Sequence, residues 1–352
     1  MKNNKVFYIC GLVIFLLAIG FIIFASVGAN KSNTNLNDNE NKNEVEEEKK
    51  EEEEVKELKI VDINSKSRPV AVMINNLNAA RNYHSGLDDA YIVYEMIVEG
   101  GITRLMALFK DKDTARIGSV RSSRHYYLDY TLENDAIYVH FGWSPQAQSD
   151  ISKYKVNNIN GLYDNAFWRD TSLNIAYEHT AYTSMEKILN VAKSKNYSLE
   201  TDKDLLLNYS ADEINLEEKD GSSVANSIDI RYSNYLTTNY VYNPNEKLYY
   251  RSVNDKAHKD YVTKKQYSTK NIIVAYVSNS NISNDSKGRQ NLNNIGKGEG
   301  YYITNGYALP IIWEKSARNS QTIYKYKNGE EIVVNDGNTY IQIAPISSAK
   351  IK

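Results

Sequence analysis

Arg104, Arg116, Arg121 and Arg124 fall within 21 residues and are four of the chain's eleven arginines, although lysine is the commoner basic residue elsewhere. A guanidinium offers phosphate or carboxylate a planar, two-pronged donor face, whereas lysine supplies a point charge. In Arg121-Ser122-Ser123-Arg124-His125 the arginines sit at an expected strand-to-helix junction, where unpaired backbone N–H groups also favour an anion. The same arginines could instead be spent in ion pairs with Glu95, Glu99, Asp129 and Glu178. His140 closes an apolar strand and His179 follows Glu178. A histidine beside carboxylates and arginines can serve as a general base, or rest as a satisfied core residue. The candidate anion-binding set is therefore Arg104, Arg121, Arg124, His140 and His179, with Glu95, Glu99 and Glu178 in support. No catalytic residue is assigned. Trp143, Trp168 and Trp313 could offer faces on which a sugar stacks, or pack into the core.

Stronger catalytic signatures are missing. There is no phosphate-cradling P-loop, zincin helix, nucleophile elbow or Cys/His metal spacing, so no cofactor and no metal are expected. Gly296-Lys-Gly-Glu-Gly-Tyr is glycine-rich but reads as a turn entering a strand. Cys10 is the single cysteine, which excludes a disulfide scaffold. The net charge is −2, and acidic residues concentrate in Asp38–Glu57. The remainder is nearly neutral and lacks the basic field of a nucleic-acid binder, so no nucleic-acid partner is expected.

Residues 1–29 read as a membrane anchor or uncleaved signal. Lys2 and Lys5 precede an apolar run from Val6 to Val27. About 20 such residues in a helix cross a hydrocarbon core of about 30 Å. The flanking lysines place the N-terminus in the cytoplasm and the rest outside it. Residues 30–57 form an acidic linker too poor in apolar side chains to order itself. Residues 58–220 read as an α/β or α+β N-terminal domain. Its elements include a buried strand at Pro69–Ile74 and a hairpin about Gly100-Gly101, with a helix as the alternative there. A helix near Ser123–Glu133, a strand at Ala136–Phe141, and helices opened by Ser144-Pro145 and Ser184 follow. Residues 221–352 read as a mostly β C-terminal domain of short tyrosine-rich strands separated by turns such as Asp336-Gly337. The expected fold class is thus an α/β or α+β domain followed by a mostly β domain, behind a single N-terminal transmembrane helix.

Arg68-Pro-Val-Ala-Val-Met-Ile-Asn-Asn, Ser85-Gly-Leu-Asp-Asp-Ala-Tyr-Ile-Val-Tyr-Glu and Glu99-Gly-Gly-Ile-Thr-Arg-Leu-Met-Ala-Leu-Phe resemble, in order, the YerB-like family of bacterial envelope lipoproteins. Ile117-Gly-Ser-Val-Arg-Ser-Ser-Arg and Ala136-Ile-Tyr-Val-His-Phe-Gly-Trp-Ser-Pro-Gln-Ala extend the resemblance, as do Ile312-Trp-Glu-Lys and Asp336-Gly-Asn-Thr-Tyr. Thr180-Ala181 departs from the family's pattern after His179, and the lipid-attachment motif is missing. The resemblance implies a two-domain extracytoplasmic protein and supplies no catalytic residues. The expectation is a membrane-held protein, extracytoplasmic beyond its anchor, that binds an anionic cell-wall polymer or an envelope protein. The alternative is an envelope enzyme acting on a phosphate-linked glycan, with His140, His179 or Glu95 carrying the proton.

Overall fold

A computed structural model of the protein describes residues 57–352. The apolar run on which the anchor reading rests, and nearly all of the acidic linker, lie outside the described residues. Among the described residues no helix is long and apolar enough to cross a membrane.

Three strands lie at the centre: β1 (Val70–Asn75), β2 (Ile92–Ile97) and β3 (Thr103–Phe109), with every residue buried. Burial on both faces is why they read as near-continuous apolar runs. Successive side chains go to opposite cores: Ile92, Tyr94 and Met96 to one, Val93 and Ile97 to the other. β2 and β3 pair as an antiparallel hairpin from Ile92 opposite Leu108 to Ile97 opposite Thr103. Gly100 (φ 73°) and Gly101 (φ 68°) make the turn in left-handed conformations open to glycine, which settles the hairpin over the helix.

Five short strands follow: β4 (Ile117–Gly118), β5 (Ile137–His140), β6 (Asn158–Asn160), β7 (Phe167–Arg169) and β8 (Ala181–Thr183). β5 runs parallel to both β1 and β6. The helix Pro145–Lys153 makes the crossover from β5 to β6, and the Ala147 N–H donates to the Ser144 hydroxyl at 3.2 Å to cap it. β4, β8 and β7 form a small separate sheet. The helix expected near Ser123 covers only Tyr127–Glu133, and that opened by Ser184 runs Met185–Ser194, burying Met185, Ile188 and Ala192.

The C-terminal half continues the central sheet. The strand Thr339–Ala344 inserts parallel between β2 and Asn271–Tyr276, and Gly296–Thr304 and Tyr307–Lys315 extend it outward. Both halves thus supply one eleven-stranded sheet. A six-stranded sheet built on Ser227–Arg231, Thr237–Asn243 and Leu248–Val253 packs on it, with the Tyr240 ring 6.1 Å from that of Tyr340.

This corrects the expected fold class. The described chain is mostly β with few short helices, not an α/β or α+β domain joined to a β domain, and it contains no membrane-crossing helix. The α-rich reading of the first half overweighted Ser/Pro helix starts. Those helices are short covers over a sheet whose long-range pairings leave no local signal.

Candidate functional site

β1 and β5 pair only through Val70–Val72 and Ile137–Val139, and then part. The segment Val120–Ser123 fills the opening. Its Arg121 N–H donates to Met73 O at 2.9 Å, and its Arg121 O accepts from Phe141 N at 3.0 Å. This wedge carries the arginine motif to the carboxyl ends of the parallel strands, where open sheets hold their ligands. Gly118 precedes it at φ 153°. A Cβ there would lie 2.7 Å from the Tyr182 ring and 2.9 Å from Ala181 O, so a larger residue would displace the segment.

The predicted arginines separate into groups on either side of the wedge. Arg104 and Arg124 share Glu99: Arg104 donates to it at 3.1 Å, and Arg124 at 2.9 Å through Nε and more closely through Nη2. Burial favours a neutral Glu99, but the Arg124 hydrogen bond and the charges of Arg104 and Arg124 outweigh it and hold the carboxyl at about 2. Burial, followed by the Arg124 charge, lowers Arg104 to about 10. Arg116 is paired with Asp170 at 2.8 Å and lies 3.7 Å above the Tyr182 ring.

Arg121 belongs to the second group. It donates to Glu178 O at 2.9 Å and to the Glu178 carboxylate at 3.1 Å. Asn75 Nδ2 donates to His179 Nδ1 at 2.9 Å, which leaves Nε2 to face Glu178 at 3.6 Å. Burial and then the Arg121 charge lower the His179 pKa. Arg169, which the sequence reading passed over, completes this group. Its guanidinium lies 4.4 Å from the Phe141 ring and 4.6 Å from the Tyr177 ring, and Nη1 donates to Tyr177 O at 2.8 Å. No carboxylate among the described residues pairs with it. Burial lowers its pKa and the nearby Arg121 charge lowers it further. The signal in the sequence was slight: Arg169 follows Phe167 and Trp168, and neither of these is a ring that holds it.

His140 stands apart. It is buried, with Nδ1 donating to Gly142 O at 2.8 Å and Nε2 3.2 Å from Asn158 Oδ1. Burial pushes it down to about 4. Glu95 also leaves the cluster. It is wholly buried against Arg251 at 2.8 Å and accepts from Thr103 at 2.7 Å, Thr238 at 3.0 Å and Asn76 at 3.1 Å. Arg251 donates to His258 Nδ1 at 2.5 Å, His258 Nε2 donates to His84 Nδ1 at 2.9 Å, and His84 Nε2 donates to Asn75 O. One direction of donation runs through this chain, and it requires both rings to be neutral. Burial lowers both, His84 to about 3. Arg251, His258 and His84 are the members no local pattern announced.

Trp313 is buried, its indole N–H donating to Tyr276 O at 3.0 Å, while Trp143 and Trp168 remain partly exposed. Among the described residues no group of three or more His, Cys, Asp or Glu side chains could hold a metal ion. A cleft of about 520 Å³ lies elsewhere, lined by residues such as Ser65, Lys66, Lys110 and Asp202, and none of the predicted site residues lines it.

Residues 57–198 match the family model "Protein of unknown function (DUF3048) N-terminal domain", and residues 228–341 match "Protein of unknown function (DUF3048) C-terminal domain". The chain is 32% identical over 289 residues to "Putative lipoprotein YerB" of Bacillus subtilis (strain 168), covering 80% of this chain and 82% of that one. Its structure is similar to the crystal structure of the YerB protein from Bacillus subtilis, with a TM-score of 0.70 and 30% identity over 81% of this chain and 94% of the other. The chain therefore belongs to the DUF3048 family, and it is a YerB-like protein.

Proposed function

We propose that this protein works at the cell envelope, as the lipoprotein designation of its Bacillus subtilis relative suggests, and binds an anionic envelope component through Arg121 and Arg169. The observation that carries this reading is Arg169. Its guanidinium is held between two rings, has no carboxylate partner among the described residues, and lies close enough to Arg121 to feel its charge. Two neighbouring arginines against the one carboxylate of Glu178 leave a positive surface. Partly desolvated guanidinium donors suit phosphate or carboxylate. His179, positioned by Asn75, is buried beside this surface with its Nε2 3.6 Å from the Glu178 carboxylate. Arg104 and Arg124 support the wedge through Glu99.

Of the three proton carriers of the enzymatic alternative, His179 alone adjoins this surface, with Nε2 3.6 Å from Glu178. Glu95 is enclosed with Arg251, and His140 has both ring nitrogens facing neighbours. The test is binding of the full-length protein to a purified phosphate-rich wall polymer at rising ionic strength. Binding should weaken with salt and fall about tenfold in Arg121→Gln/Arg169→Gln, a loss of about 1.4 kcal/mol. Unchanged binding by that variant would reject the site.

A further inference from the structure

The groups that hold Arg121 and Arg169 come chiefly from one short turn, Tyr177–His179. The Tyr177 ring and carbonyl face Arg169 at 4.6 Å and 2.8 Å. The Glu178 carbonyl and carboxylate accept from Arg121 at 2.9 Å and 3.1 Å. The Phe141 ring joins them from the loop after β5. Apart from the Arg121 contacts, the turn's hydrogen bonds among the described residues stay within the β7–β8 connection, as when His179 N donates to Ala176 O at 2.8 Å. The exception is His179 Nδ1, which accepts from Asn75 Nδ2 at 2.9 Å. Asn75 ends β1 and is buried. Its N–H donates to Ser119 O at 2.9 Å, its carbonyl accepts from His84 Nε2, and its Oδ1 accepts from Leu77 N at 3.1 Å. A backbone N–H can only donate, so the Leu77 bond fixes which amide atom is oxygen and turns Nδ2 toward His179.

We infer that Asn75 is the positioning residue of the anion-binding surface: it anchors the Tyr177–His179 turn to the central sheet and holds His179 as an uncharged ring with its proton on Nε2. The inference rests on the anion-binding reading above and deepens it, because it names what sets the surface's geometry and its response to pH. An amide N–H cannot accept, so Nδ1 must, and the ring carries its hydrogen on Nε2, which faces Glu178 at 3.6 Å. Protonating Nδ1 would set one donor against another and break the Asn75 bond. Two charged groups face the ring and oppose each other: Arg121 disfavours its protonation and Glu178 favours it. Burial, the strongest influence, also disfavours it, and the pKa falls below the ordinary value. The surface therefore keeps Arg121, Arg169 and Glu178 as its charges between about pH 6 and 8, with no histidine titrating among them. With Nδ1 taken by Asn75 and Nε2 protonated, His179 has no free lone pair with which to act as a base. The Asn75 carbonyl extends this support through His84 to His258 and Arg251.

The test uses the full-length protein with nitrogen-15-labelled histidine, together with the phosphate-rich wall polymer. The His179 ring, assigned among the five histidines by its loss in His179→Asn, should show the Nε2–H form and stay uncharged down to about pH 6. Asn75→Asp, which sets a carboxylate oxygen where Nδ2 stands, should turn that ring into imidazolium at pH 7, a change no merely structural role predicts. Asn75→Ala and His179→Ala should each weaken polymer binding by about fivefold or more, with folding checked by circular dichroism. His179→Asn, which keeps an acceptor where Nδ1 stands, should restore most of the affinity that His179→Ala loses. A parent ring in the Nδ1–H form, or charged at pH 7, would overturn the inference, and so would parent-like binding by Asn75→Ala. If Asn75→Ala does not fold, the two His179 variants decide: equal binding by both would overturn it. Each of these results leaves the anion-binding reading in place as long as Arg121→Gln/Arg169→Gln binds weakly. No polymer binding by the parent protein would overturn both.

Discussion

Arg251 and Arg169 are both packed among aromatic rings, yet they are held in opposite ways. Arg251 is fully enclosed, with Glu95 at 2.8 Å and His258 and His84 extending its hydrogen bonds to the backbone at Asn75. Arg169 lies between Phe141 and Tyr177 with one backbone acceptor and no carboxylate. An enclosed charge must be compensated inside the protein, because water cannot reach it. A charge at the rim need not be, and its donors remain open to a partner from outside. The comparison teaches that arginine density alone does not mark a binding site. What marks one is an arginine whose fold has supplied packing without supplying its anion.

The largest effect should come from breaking the enclosed pair. Arg251→Met strands Glu95 in a dry core and should cost about 3–5 kcal/mol in urea unfolding. A loss below about 1 kcal/mol would show that the pair is not closed.

Acid should act next, through the buried histidines. His84 is lowered to about 3, by burial first and then by the charges of Arg81 and Arg251, against the Asn75 hydrogen bond; burial lowers His140 to about 4. Both pKa values lie below that of an unfolded histidine, so the unfolded chain takes up protons first. Their contribution is complete above pH 6.5 and is lost as pH falls through about 4 for His140 and about 3 for His84. Between pH 6.5 and 5 each should cost about 2 kcal/mol. His140→Asn should flatten the unfolding-versus-pH curve in that window, and an unchanged slope would contradict the burial of its ring.

Arg124→Ala removes one of the two arginines on Glu99 and should cost about 1–2 kcal/mol, because Arg104 keeps the carboxylate partly compensated. Arg169→Gln should be the mildest for stability, under about 1 kcal/mol by thermal unfolding, because what it loses is chiefly contact with two rings.

The sequence reading succeeded where the determinants are local. Gly100-Gly101 turns the β2–β3 hairpin, and Ser144-Pro145 starts a helix. It could not see that Thr339–Ala344 would lie beside β2, more than 240 residues away, because parallel pairing leaves no mark in either strand's neighbourhood. For the same reason Glu95 was grouped with the nearby arginines, whereas its partner, Arg251, comes from the second sheet. Arg169 was missed because a lone arginine in Phe167-Trp168-Arg169 looks unremarkable until Phe141 and Tyr177 close around it.

The central claim is that the rim arginines are kept for a ligand rather than for the fold. Measuring unfolding free energy and wall-polymer affinity together on Arg121→Gln/Arg169→Gln tests it most directly. The account predicts a stability within about 1 kcal/mol of the parent protein and an affinity reduced about tenfold. A variant destabilised as strongly as Arg251→Met, yet binding the polymer as the parent does, would contradict it.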